Sequence, residues 1–186
     1  MEAVKKFQIS KITKIILISI VGTLLLTLSA KIKIPFYPVP MTMQTFVVLL
    51  IGITLGKKVG MFTVGLYLLE GIVGLPVFAN SPEKGIGLVY FTGPTMGYLI
   101  GFLIAVYFSS SFQYNKGIIN TFLKLLFSVS FIYLAGLIWL GILIGWDKPL
   151  FKLGAQPFLI AELFKILLLS FLTINLIKIK KIIKIT

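Results

Sequence analysis

The chain has 186 residues, 58% of them hydrophobic and 12% charged, with a formal net charge of +13. Proportions this apolar lie outside those of soluble domains and point to a bilayer as the solvent. The lysines stand in short clusters between apolar runs rather than along one continuous face, which excludes a nucleic-acid surface. The absence of Cys and His removes disulfides, thiol nucleophiles, imidazole bases and the common transition-metal ligand sets.

Crossing a bilayer takes about 20 mostly apolar residues in a helix. Six segments are expected on that rule: 10–30, 43–56, 59–79, 94–109, 118–145 and 157–177, a single integral membrane domain over 1–186. The first is preceded by Lys5, Lys6, Lys11 and Lys14, and its small residues Ser19, Thr23 and Thr27 recur every fourth position, a spacing suited to docking another helix. A basic start, an apolar core and Leu28-Ser29-Ala30 also fit a cleaved signal peptide loosely, but removing the segment would upset the lysine pattern described below.

Residues 31–41 follow, with Pro35, Pro38 and Pro40 interleaved by Phe36 and Tyr37, a stiff and extended stretch that can act as a lid. The second segment, 43–56, is short, and length alone leaves a thin span or a re-entrant loop open. Lys57 and Lys58 come next. The third carries Glu70, expected about 15 Å along a continuous helix from Asn80, and so near the midplane as a packing partner for a hydroxyl of a neighbouring helix. A loop over 80–93 then offers Asn80, Ser81 and Tyr90 as uncharged hydrogen-bonding groups.

Gly93, Gly97 and Gly101 repeat every fourth residue, as do Gly52, Gly56 and Gly60, while Gly141 and Gly145 form a further such pair. These ridges are read as packing surfaces for close helix approach. Lys116 follows the fourth segment, and Lys178, Lys180, Lys181 and Lys184 close the chain. With six spans these clusters share one side with the N-terminal lysines, so the positive-inside rule places both termini in the cytoplasm.

In the last segment, Pro157 suits the first helical turn, and Glu162 and Lys165 stand three apart on one face. Ionisable groups inside an apolar span cost several kcal/mol unless paired or wet. This pair is either a ligand site near the outer surface or an ion pair that only fixes helix packing. Energy must come from other subunits, because the nearest approach to a phosphate loop, Gly52 to Lys58, has the wrong glycine spacing. No catalytic dyad or triad is recognisable, so no catalytic residue, resident cofactor or metal is expected.

Four blocks in order carry a resemblance: Ile34-Pro35-Phe36-Tyr37-Pro38-Val39-Pro40-Met41-Thr42-Met43-Gln44; Tyr67 with Gly74-Leu75-Pro76-Val77-Phe78-Ala79; Gly93-Pro94-Thr95-Met96-Gly97-Tyr98-Leu99 with Gly101-Phe102; and Pro157-Phe158 with Glu162 and Lys165. Together they resemble the BioY family, the biotin-specific S components of energy-coupling factor (ECF) transporters. The resemblance implies an all-α bundle of six transmembrane helices in a bacterial cytoplasmic membrane, with both termini cytoplasmic. It further implies a biotin cavity open to the outside and covered by the first long loop. The expected partners are biotin, membrane lipid, a transmembrane coupling subunit and two ATP-hydrolysing subunits.

By the same resemblance Asn80, Glu162 and Lys165 fall at polar ligand contacts, with Tyr98 and Gln44 as secondary nominations, and Phe36, Tyr37 and Phe158 would pack biotin's bicyclic ring. The family pattern has Asp where this chain has Glu162, and some members use an Arg that this chain lacks. Competing readings are an S component for another small vitamin, a membrane-embedded enzyme using Glu70 or Glu162, and a structural subunit.

Overall fold

A computed structural model describes residues 10–35, 37–114 and 116–183, with the side chains of residues 174 and 178–183 left undescribed. Phe36, Lys5, Lys6 and Lys184 therefore lie outside the described residues, and Lys178, Lys180 and Lys181 are placed by backbone alone.

Helix α1 (Lys11–Lys31) starts at Ser10, whose Oγ accepts the Thr13 N–H at 3.1 Å and so satisfies one donor of the first turn. Ser19, Gly22, Thr23, Leu26, Ser29 and Ala30 make its buried stripe, whereas Leu17, Val21, Leu24 and Leu28 face outward. This inside-out arrangement suits a bilayer, where large aliphatic side chains gain nothing by leaving lipid and small residues let backbones meet. The small-residue ridge therefore packs within the chain rather than facing a partner. Ser19 and Thr23 are turned into the bundle, Ser19 Oγ accepting from Thr63 Oγ1 at 3.1 Å, and Thr27 is half-buried.

Helix α2 (Gln44–Ile72) is interrupted at Gly56, whose φ of 73° and ψ of −179° belong to a region open essentially to glycine alone. Along a straight helix the 23 residues separating Gln44 from Tyr67 would span roughly 35 Å. Instead Gln44 Nε2 donates to the Tyr67 hydroxyl at 2.7 Å, so the chain doubles back at Gly56 and lays limb 57–72 beside limb 44–55. The second limb stops at Ile72, short of the expected 79, because Gly74 at φ 99° and Pro76 end it. Glu70 thus occupies the last turn, half-buried, rather than the midplane.

Helix α3 (Met96–Ser111) packs against α4 (Gly117–Ile144). A Cβ on Gly97 would strike the Ala135 carbonyl and Trp139 Cβ, and one on Gly101 would come within 2.6 Å of Ile132 Cα. The short helix α5 (Leu150–Gly154) and a 3-10 turn at Gln156–Phe158 then lead into α6 (Leu159–Ile183). By length and composition four described helices can cross a membrane, α1, α2, α4 and the α5–α6 stretch Leu150–Thr173, and α3 is a shorter apolar helix.

One departure from an all-α chain lies between α1 and α2, where β1 (Lys33–Ile34) pairs antiparallel with β2 (Met41–Thr42), Lys33 opposite Thr42 and Ile34 opposite Met41. Three prolines in this stretch forbid a helix and turn the chain back on itself.

Candidate functional site

Glu162 and Lys165 lie in the first two turns of α6, 3% and 9% exposed, with Lys165 Nζ 3.2 Å from Glu162 Oε2. That one carboxylate oxygen also accepts from Thr45 Oγ1 at 3.0 Å and from the Tyr133 hydroxyl at 3.0 Å. The α2 limb and α4 are thereby drawn to α6 around a single charge. The ammonium spends its remaining donors on the Thr42 carbonyl at 2.7 Å and Thr45 Oγ1 at 3.2 Å. By contrast Glu162 Oε1 is buried and meets no donor. An ionised oxygen left so costs more than the roughly 1–3 kcal/mol of a neutral orphan, so its position is informative.

Above the pair is a narrow hollow of about 60 Å³, smaller than the usual small-molecule site. Glu162, Lys165 and Tyr133 form its polar wall. Phe78, Tyr98, Phe102, Ile132 and Phe158 form the apolar one, and Val39 to Thr42 of the hairpin cover it. Phe78 is fixed by edge contact with Tyr67 at 5.3 Å and tilted stacking on Tyr90 at 4.7 Å between ring centroids. Burial pushes the Tyr90 hydroxyl above the usual tyrosine range, so it stays neutral, and it accepts the Asn80 N–H at 3.4 Å. An acidic wall, a cation and aromatic faces can recognise a compact ring system carrying N–H donors.

Of the residues nominated from sequence, Gln44, Tyr98, Phe158, Glu162 and Lys165 line this hollow. Two of them spend their polar atoms on the fold. Gln44 donates to Tyr67 and accepts from Thr42 Oγ1 at 3.2 Å, and the Tyr98 hydroxyl donates to the Gly154 carbonyl at 2.8 Å. Asn80 sits beside the wall rather than in it, half-buried, its Oδ1 accepting from Lys33 Nζ at 3.3 Å, while the neighbouring Ala79 does line the hollow. Tyr37 is 86% exposed at the hairpin tip and points away. Thr45 and Tyr133 lie outside the nominated set, which within the spans rests on charged side chains and on the family resemblance; a hydroxyl amid an apolar helix is the signal that finds them. Among the described residues no three acidic, His or Cys side chains come together as a metal set.

Comparison with known proteins follows the same lines. Residues 2–182 match the model of the BioY family. A probable biotin transporter BioY of Pyrococcus horikoshii is 36% identical over 141 residues, covering 76% of this chain and 82% of that one. The biotin transporter BioY of Thermotoga maritima is 34% identical over 159 residues, covering 85% and 92%. Among solved structures, the S component for biotin from an ECF-type ABC transporter superposes with a TM-score of 0.75 at 26% identity, covering 95% of each chain.

Proposed function

Because the chain belongs to the BioY family, we propose that the hollow beside Glu162 and Lys165 is a biotin site and that the chain is the substrate-capturing S component of an ECF-type vitamin importer. The observation that carries this reading is the buried Glu162–Lys165 pair at the wall of an aromatic hollow, with Glu162 Oε1 left without a protein donor. Biotin's ureido ring offers two N–H donors for such an acceptor, and Phe78, Tyr98 and Phe158 supply a surface for its apolar bicycle. Lys165 pairs with the carboxylate beside it and donates to a ligand oxygen when the Thr42 or Thr45 contact is given up. Selectivity follows from that polarity, since a site built around buried acceptors discriminates strongly against analogues lacking the matching donors.

The two limbs of α2 count as separate passes in this reading. With α1, α3, α4 and α6 they give six, which puts both termini and the Lys57–Lys58 reversal on the cytoplasmic side and the hairpin cover outside. The membrane is then a bacterial cytoplasmic membrane. Delivery of biotin inward requires a transmembrane coupling subunit and two ATP-hydrolysing subunits, since this chain has no phosphate-binding loop.

Purified protein tests the reading by retention of radiolabelled biotin. One equivalent per chain is expected, lost on Glu162→Ala; a protein that retains none, or a variant that retains all of it, overturns the assignment. Turnover of a substrate would instead mark an enzyme, and retention of a different vitamin would keep the S component but change its cargo.

A further inference from the structure

We propose that Lys31 and Lys33 form a clasp that fastens the covering hairpin to the wall of the hollow and so sets how long a ligand stays inside, a role that rests on the biotin reading of that hollow. Lys31 ends α1 and Lys33 opens β1, so both ammoniums leave the chain where the hairpin begins. Lys31 Nζ donates to the Phe78 carbonyl at 2.9 Å and the Ser81 carbonyl at 2.7 Å. Lys33 Nζ donates to the Ala79 carbonyl at 2.8 Å and Asn80 Oδ1 at 3.3 Å, with the Glu83 carboxylate 3.9 Å away. Each of four consecutive residues, 78 to 81, therefore gives an acceptor to one of two lysines.

This stretch lies between helices, where the Phe78, Ala79 and Ser81 carbonyls accept from these two lysine side chains. Phe78 and Ala79 form wall, and Met41 and Thr42 of the partner strand form cover. The other strand is held too, since Lys165 donates to the Thr42 carbonyl, and Thr42 is paired with Lys33 across the ladder. Swinging the hairpin aside must break the charge-assisted bonds at 78–81, whereas the floor of the site, Glu162 with Tyr133, does not depend on them. Loss of the clasp should thus speed departure.

The chain has no cysteine, so a nitroxide on Tyr37→Cys at the exposed tip reports the hairpin alone. We expect Lys33→Met, and more strongly Lys31→Met with Lys33→Met, to loosen that label without ligand and to speed biotin release at least about tenfold. Lys33→Arg should restore both, and Lys84→Met, on the same loop, should alter neither. An unchanged label and an unchanged release rate in Lys33→Met would overturn the clasp, even if the double variant does not fold. If the unsubstituted protein retains no biotin, the biotin reading fails by itself, and the label mobility still decides for or against the clasp.

Discussion

Exchanging the members of the buried pair singly and together separates a ligand site from a packing device. In Glu162→Met the Lys165 ammonium, 9% exposed, keeps only two neutral acceptors, the Thr42 carbonyl and Thr45 Oγ1. In Lys165→Met the carboxylate keeps only the Thr45 and Tyr133 hydroxyls. Breaking a buried pair from one side costs about 3–5 kcal/mol, whereas replacing both charges with apolar side chains of similar volume is often neutral or stabilising. Each single variant should therefore melt well below the parent in detergent, and the double variant should return close to it, a coupling of several kcal/mol. Biotin retention should not return with it. Each hydrogen bond to a charged group is worth about 1.5–3 kcal/mol, so the double variant should bind about 10- to 150-fold more weakly for every such bond lost. Thermal unfolding followed by tryptophan fluorescence and equilibrium binding of labelled biotin give the two readouts. A double variant that melts and binds like the parent would show that the pair serves helix packing only.

Tyr133→Phe removes one of the three donors on Glu162 Oε2 while keeping the ring; we expect weaker biotin binding by about 10-fold or more and a lower melting temperature, both read by titration on the purified variant. Gly56→Ala forces a side chain into a backbone region that costs about 1–3 kcal/mol outside glycine, so the variant should unfold at lower temperature, whereas Gly65→Ala, with open space around it, should not. Gly97→Leu drives a side chain into the Ala135 carbonyl and Trp139, and overpacking of this kind costs about 1–3 kcal/mol or more; size-exclusion chromatography should show loss of the monodisperse peak. Single cysteines at Tyr37 and at Lys58 should label from opposite sides of sealed vesicles, and labelling from the same side would refute the six-pass arrangement.

Much of the site was legible before any coordinates. An acid and a base three residues apart in an otherwise apolar segment are costly enough in lipid to stand out, and Glu162 and Lys165 do form the buried centre of the hollow. Of the glycine repeats, Gly97 and Gly101 lie where α3 meets α4, and Gly52 and Gly60 lie against Ser109 and Val106. Gly56 instead breaks α2, Gly93 precedes α3, and Gly141 and Gly145 lie at the end of α4 against Trp146 and Asp147. Other expectations changed where an apolar run did not stay helical or where spacing alone did not fix which way a side chain faces. Glu70 moved from midplane to helix end once Gly74 and Pro76 closed the helix, Tyr37 turned outward at the hairpin tip, and Ser19 and Thr23 turned inward.

By itself, then, the sequence determined the solvent, the rough segments and the one costly charge pair, since transfer into lipid is a property of each residue type and its near neighbours. Only the tertiary structure decided which partners that pair would meet. Thr45 and Tyr133 lie 117 and 29 residues from Glu162, and Lys31 and Lys33 reach across more than forty residues to the 78–81 wall. Hydrogen bonds act over about 3 Å, so such contacts exist only after the chain has doubled back at Gly56 and the helices have closed around the hollow.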